Sequence, residues 1–363
     1  MTRSTEHVAA GARHPSSALV PEPAADPPLV SLIVPVLDGE VTLRESLDSI
    51  LGQRYPRLEV IVMDDVSTDA TPDIAASYGG RVTYRRQPSR RGIYGNANDG
   101  IALAAGELVG VFHADDVYLP DLVAREVEWL QAHPDAGAVF CSDVFVDGDG
   151  REVGRLELPL EVRGGAPLPY PVVLNALLRH KNSFLRCPTA LVRADVYREL
   201  GGYRDAEFAN TSDLEMWLRI ARSYPLGVLE DHLLLYRRGH GSSSERYHRL
   251  RTDPERFFRI LDLELAGPGS KVAEPASLAA YEAHRATDAL MRAVSAYVLD
   301  DLDAARSLAS QARLGALAHA PRRLRTVSLG LVLRAVTRFP RMRIVADAFS
   351  RRWHGGSTTR VAV

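Results

Sequence analysis

Three short apolar runs, separated by stretches that are long enough for helices, set the narrowest limits on this chain. Leu29 to Leu37 (LVSLIVPVL), Leu58 to Met63 (LEVIVM) and Glu107 to Phe112 (ELVGVF) are almost unbroken in aliphatic residues. Such runs suit strands covered on both faces, the condition of a parallel sheet. Pro35 falls near the end of the first, where a missing ladder donor matters least. Val41 to Leu51 carries Leu43, Leu47, Ile50 and Leu51 at helical spacing. Ser67, Thr68 and Asp69 are candidate caps for a helix that starts near Thr71-Pro72. A strand is expected at Val82 to Arg85, then a Gly- and Asn-rich loop, Arg90 to Gly100, leading into a helix through Ala104. Further on, the pattern predicts a helix over Pro120 to Gln131 and a strand over Gly137 to Val146. A hairpin and loop are expected between Gly148 and Pro171, and a short strand at Pro188 to Val192. Helices at Ala194 to Leu200 and Leu214 to Ser223 and a strand at Leu226 to Tyr236 complete the alternation. Short connections between strands and helices predict an α/β fold with a doubly wound, mostly parallel sheet.

Beyond about Arg249 only helical patterns remain, at Pro254 to Leu265, Ala276 to Val298 and Leu302 to Leu317. We therefore expect a leader without order over 1–28, a sheet domain over 29–248 and a helical C-terminal region over 249–363. The leader lacks a basic head followed by an apolar run, so it does not read as a signal peptide. No stretch is long and apolar enough to span a bilayer, the nearest being Val327 to Val336. Two cysteines, Cys141 and Cys187, form neither a metal-ligand spacing nor a disulfide framework, which points to a reducing cytoplasm. A formal net charge of -2 gives no basic field that demands nucleic acid.

The chemistry concentrates where strands end. The second run finishes in Asp64-Asp65 and the run ending at Phe112 leads through His113-Ala114 into Asp115-Asp116. In an open parallel sheet these ends share one edge, the edge at which ligands bind. Carboxylates there are costly unless a positive charge sits among them, and a divalent cation that carries a phosphate group would satisfy both conditions. Capping of the following helices is the competing explanation, and it weakens when two pairs and Asp213 must all be explained at once.

The ordered series Val34-Pro35, Met63 to Asp69, Gly92 to Gly100, Ala105-Gly106-Glu107, Ala114-Asp115-Asp116, Tyr118-Leu119-Pro120, Leu200 to Tyr203, Ser212 to Leu218 and Tyr236-Arg237-Arg238 resembles the family 2 glycosyltransferases. These are inverting enzymes of the GT-A fold, and the resemblance covers about 30–244. It implies a nucleotide-binding half over 29–120 and an acceptor half over 121–248. Pro35 would pass the nucleotide base, and Asp65 resembles the carboxylate that binds it. Asp115 and Asp116 resemble the DXD-type element, with Asp116 on a Mg²⁺ or Mn²⁺ ion and Asp115 near the ribose and the same ion. Asp213 resembles the catalytic base. His240 lies at about the position of a loop histidine near the metal. The donor implied is a UDP-, GDP- or dTDP-sugar and the acceptor a hydroxyl compound, among which lipid-linked ones are included.

Two departures from the family pattern stand out. Ser212 occupies the place of an acidic residue before the base, and Asn96-Ala97-Asn98 replaces a run that commonly contains arginine. Arg90 or Arg91 can supply the missing charge to the diphosphate, and Asn98 has donors for the nucleotide side. Trp217 and the cysteines read as packing residues, and His113 as a packing or hydrogen-bonding residue in preference to a metal ligand.

Two other functions fit parts of the pattern. A sugar-phosphate nucleotidyltransferase needs a basic Gly-rich loop after the first strand, but Val36 to Glu40 has no basic residue. A non-catalytic nucleotide-sugar-binding module has no physical need to keep Asp213 together with both carboxylate pairs. The arginine-rich C-terminal stretch, Arg322 to Trp353, can cap the domain or lie on the anionic inner face of a membrane. Its lack of a long basic face favours the cap.

Overall fold

The computed structural model describes residues 26–238, 251–317, 323–339 and 342–354. The first half runs β1 (Val30–Val36), α1 (Leu43–Leu51), β2 (Leu58–Asp64), α2 (Thr71–Ala76), β3 (Thr83–Arg86), α3 (Ile93–Leu103) and β4 (Leu108–Val111). It continues through β5 (Val117–Tyr118), α4 (Leu122–Ala132), β6 (Ala138–Val146), β7 (Glu152–Arg155), α5 (Tyr170–His180) and β8 (Leu191–Arg193). Then come α6 (Ala194–Leu200), α7 (Asp205–Phe208), α8 (Ser212–Ala221) and β9 (Leu226–Arg237). The remaining helices are α9 (Arg256–Ala266), α10 (Pro275–Val298), α11 (Leu302–Gln311), α12 (Leu314–Leu317), α13 (Arg323–Val336) and α14 (Arg343–His354).

One sheet of 9 strands is ordered β3-β2-β1-β4-β8-β6-β9-β5, with β7 beside β6. Strands β1 to β4 pair in parallel, as do β6 and β9, whereas β8 is antiparallel to both β4 and β6. Six strands therefore share one direction, and β5, β7 and β8 oppose them. Pairing of β1 with β4 ends at Ile33 and Val111, so the missing N–H of Pro35 falls beyond that ladder. The hairpin expected after Gly148 is the β6–β7 pair.

Alternate residues of β1 enter opposite cores, as strand geometry requires. Leu32 and Val34 pack with Leu43, Leu47 and Ile50 of α1 and with Val123 and Val127 of α4. Ile33 packs on the other face with Ala97 of α3, Leu177 of α5 and Trp217 of α8. That second core continues without interruption through Phe257, Phe258 and Leu261 of α9 to Tyr281 of α10. A separate cluster begins at Ala286 and joins α10 to the helices after it.

Two sequence expectations need correction. The stretch Arg90 to Gly100 is not mainly a loop, because α3 starts at Ile93 after Gly92, whose φ is 74°. Its small and polar residues serve helix packing: a Cβ on Gly100 would lie 2.3 Å from Ile33 of β1, and Asn96 donates to the Met63 carbonyl at 2.6 Å. The helix expected over Leu302 to Leu317 is broken between α11 and α12, where the Arg334 guanidinium binds the Ala309 and Ala312 carbonyls.

Candidate active site

The two carboxylate pairs do reach one edge of the sheet, on either side of the end of β1. Asp64 pairs with Val36, and the Asp65 amide donates to the Val36 carbonyl at 2.8 Å. Asp64 is fully buried and its oxygens are used up. It accepts from the Ser67 amide at 2.8 Å, the Tyr84 hydroxyl at 2.6 Å and Arg86 at 2.8 Å. Burial pushes this carboxyl upward, but the Ser67 and Tyr84 hydrogen bonds and the Arg86 charge outweigh it and leave it below the ordinary value. Asp64 is a structural anion, and the four-carboxylate crevice expected from sequence reduces to three. Asp65 holds the turn into α3, accepting from the Arg91 amide at 2.6 Å and the Gly92 amide at 3.0 Å.

The second pair is built differently. Asp116 is buried, with Oδ1 accepting from the Arg237 amide at 3.0 Å while Oδ2 has no hydrogen-bond partner. Burial, with Asp115 beside it, raises this carboxyl well above the ordinary range. His113 Nδ1 lies 3.7 Å from Asp116 Oδ2, and its Nε2 is also buried and unsatisfied. One ligand atom each from His113, Asp115 and Asp116 falls within 4.8 Å of the others. Two carboxylates and an imidazole, with Asp116 Oδ2 and His113 Nε2 unsatisfied, fit a divalent cation whose shell is completed by phosphate and water. His113, expected to pack or hydrogen-bond, thus stands within reach of both carboxylates.

Arg237 shapes this corner. Buried at the end of β9, it donates from Nε to the Asp115 carbonyl at 3.1 Å, from Nη1 to the Gly148 carbonyl at 3.1 Å and from Nη2 to Glu45 at 2.6 Å. Its backbone and side chain thus fix the Asp115-Asp116 turn from β9, the strand that pairs with β5 just after the turn. No spacing rule marks an arginine for such a role.

Asp213 stands in the first turn of α8, one position inside the helix. Thr211 occupies the cap position, and neither Ser212 nor Asp213 caps the helix as the capping explanation required. Partly buried, Asp213 is pushed up to about 6 by burial, with the Leu214 amide, the Tyr94 hydroxyl and the Arg186 charge pulling it back. Arg186 connects this carboxylate to the rest of the site, because its charge acts on both Asp213 and Asp116. Its Nε is 2.9 Å from Oδ2 of Asp143, a buried β6 carboxylate on which neither oxygen accepts a well-aimed hydrogen bond. The guanidinium also lies 5.1 Å from the Tyr236 ring centre and 5.3 Å from that of Phe145. Asp143 and Arg186 were not singled out by sequence; the one available signal was the aspartate interrupting the apolar β6 run.

Other expected residues are committed elsewhere. Asn98 gives both ends of its amide to Tyr203, donating to the carbonyl and accepting from the amide at 2.8 Å each. It staples α3 to the Gly201-Gly202 turn, and a Cβ on Gly202 would collide with it at 2.2 Å. Arg91 is held by Asp99 at 2.9 Å, and Arg90 lies 3.8 Å from Asp38. Pro35 is buried in β1 next to the Val36–Asp65 contact. His240 lies outside the described residues. Cys141 and Cys187 are buried and their thiols are pushed up by burial, in keeping with packing roles.

Known proteins resemble this chain in sequence and fold. The family model described as Glycosyl transferase family 2 matches residues 31–201. A putative glycosyltransferase, EpsE, of Bacillus subtilis is 30% identical over 53% of this chain and 66% of its own. An uncharacterized protein of Mycobacterium tuberculosis is 28% identical over 75% of each chain. An uncharacterized glycosyltransferase of Rickettsia felis is 27% identical, and there the match spans 35% of the relative's length. Among solved structures, S. aureus TarS in complex with UDP superposes with a TM-score of 0.55 at 17% identity, covering 85% of this chain and 91% of that one. The mannosyltransferase PcManGT of Pyrobaculum calidifontis, in complex with GDP-Man and Mn²⁺, gives 0.50 at 23% identity, covering 90% and 88%. Likeness at these identities establishes the GT-A fold. With the fold, the family match and the ordered motifs in agreement, the stretch 31–201 of this chain belongs to the family 2 glycosyltransferases.

Proposed function

We propose that the protein transfers a sugar from a nucleoside-diphosphate sugar to a hydroxyl acceptor, with inversion at the anomeric carbon. The observation that carries this reading is an unsatisfied cation-binding corner and a carboxylate poised near neutrality that both feel the charge of Arg186. Asp116 Oδ2, Asp115 and His113 would hold Mg²⁺ or Mn²⁺, which when bound supplies positive charge to a diphosphate leaving group. Asp213, at about 6, is ionised at neutral pH and basic enough to take a proton. The acceptor oxygen attacks the anomeric carbon, its proton passes to Asp213, and the carbon–oxygen bond to the diphosphate breaks.

Asp65 would accept an N–H from the nucleotide base beside Pro35. Its two backbone hydrogen bonds leave lone pairs for that purpose. Asp143 and Arg186, between the two ends of the site, would face the transferred sugar and its diphosphate. Arg91 and Asn98 have partners that make them supports of the α3 turn. The nucleotidyltransferase alternative is disfavoured by the loop after β1. Its acidic Asp38 accepts from the Thr68 amide at 2.7 Å, and no basic side chain of that loop is available for a triphosphate.

A thermal-shift panel of UDP-, GDP- and dTDP-sugars with Mn²⁺ tests the reading. One nucleotide class should raise Tm selectively and in a metal-dependent way. No shift with any of them would remove the donor assignment.

A further inference from the structure

We propose that the outward side of α13 and its turn into α14 docks on an anionic lipid bilayer. Helix α13 is fastened to the bundle by its inner side: Leu333 and Thr337 are buried, and Arg306 donates to the Thr337 carbonyl at 2.8 Å. The turn that follows is pinned by the Met342 amide, which donates to the Tyr297 hydroxyl at 3.0 Å. Val345 and Phe349 of α14 pack inward on the same cluster.

The opposite side has the composition of a second core. Positions 328, 331, 332, 335, 338 and 339 recur at helical spacing and are all exposed. They include Leu331 at 54% exposure, Val332 at 47% and Phe339 at 60%. Met342 at 41% and Ile344 at 81% extend the ridge over the turn. A helix that merely caps a domain presents polar residues outward. This one presents Leu331, Val332, Ala335 and Phe339 outward, flanked by Ser328 and Arg338, on a backbone held in place, and such a patch marks an interaction surface.

Charge selects the occupant. Between Arg322 and Arg352 the sequence has nine arginines and one acidic residue, Asp347. Removing those ten from the chain's 44 basic and 46 acidic residues leaves 35 against 45. The arginine-rich segment of the sequence is thus the one that carries these exposed apolar side chains, and Arg338 is exposed among them. A second copy of the same surface would be repelled by like charge, whereas anionic headgroups attract arginine and admit an apolar ridge below them. The surface lies in the cluster built on α10 to α14, away from the proposed transfer site, and the inference does not depend on the reaction.

Co-sedimentation of the full chain with vesicles tests it. Binding to equimolar phosphatidylcholine and phosphatidylglycerol should exceed binding to phosphatidylcholine alone by about tenfold or more, and fall as salt is raised. The double variant Leu331→Glu, Phe339→Glu alters only exposed side chains. It should lose about tenfold in binding to the mixed vesicles with circular dichroism and Tm unchanged. Equal binding to both vesicle types, no binding, or a variant that binds like the parent would overturn the proposal. So would vesicle-free dimerisation that the same variant abolishes, since the ridge would then belong to a subunit contact.

Discussion

The ends of β2 and β4 carry the same dipeptide, two adjacent aspartates, yet they are opposite in their state of satisfaction. Asp64 is closed off by a backbone amide, a tyrosine and an arginine, and burial has not prevented its carboxyl from being held below the ordinary value. Asp116 is equally buried, but one oxygen is left without a donor beside His113 and Asp115. The lesson is general: a buried carboxylate whose hydrogen bonds are complete belongs to the fold, and one with lone pairs to spare is waiting for a ligand. Asp143, with neither oxygen accepting a hydrogen bond, falls on the second side of that division.

Substitutions can break the comparison, beginning with the largest effect. Asp213→Asn removes the proposed base while keeping the shape, so turnover should fall by about a thousandfold while donor binding persists. Single-turnover kinetics near the parent rate would sink the assignment. The same variant should melt higher than the parent at neutral pH. A carboxyl raised to about 6 favours the fold at pH below the ordinary carboxylate range and loses that contribution as pH climbs through 6. The amide escapes the loss, and the difference should close in acid.

Asp64→Asn should act on stability instead, by about 2–3 kcal/mol in urea unfolding, because Arg86 and Tyr84 lose an ionic partner. If that variant loses donor binding with an unchanged unfolding midpoint, Asp64 belongs to the site and the division fails. Asp65→Ala should cost about 1–2 kcal/mol through the released amides of Arg91 and Gly92. It should also weaken nucleotide binding, and a variant with only the stability loss would confine Asp65 to the turn. The smallest effect is that of pH: kcat/KM should fall about tenfold per unit below about 6 as Asp213 takes up a proton. A profile flat to pH 5 (about one unit lower) would remove Asp213 as the titrating base.

Much of this was readable in the residues. The parallel strands β1, β2 and β4 follow from their unbroken apolar runs, and α6 and α8 from their spacing. Asp213, Asp115 and Asp116 stand out as candidates because strand ends and helix starts are local features. What escaped depends on contacts between distant segments. Asp64 and Asp116 look alike in sequence, and their partners Tyr84, Arg86 and Arg237 are 20, 22 and 121 residues away. Tyr236-Arg237-Arg238 belongs to the ordered motif series, but the contact of Arg237 with the Asp115-Asp116 turn emerges only when β9 brings them together. Asn98 looked available because its partner, the Tyr203 backbone, lies 105 residues on. Gly100 and Asn96 suggested a loop because small and polar residues at a tight helix–strand contact resemble turn formers.

The difference between the two strand ends can be measured in one experiment. Isothermal calorimetry of UDP and GDP, with and without Mn²⁺, on the parent, Asp116→Asn and Asp64→Asn separates them. The parent and folded Asp64→Asn should bind one nucleotide more tightly with Mn²⁺, whereas Asp116→Asn should show the same weak affinity in both conditions. Metal-dependent binding that survives in Asp116→Asn would contradict the account.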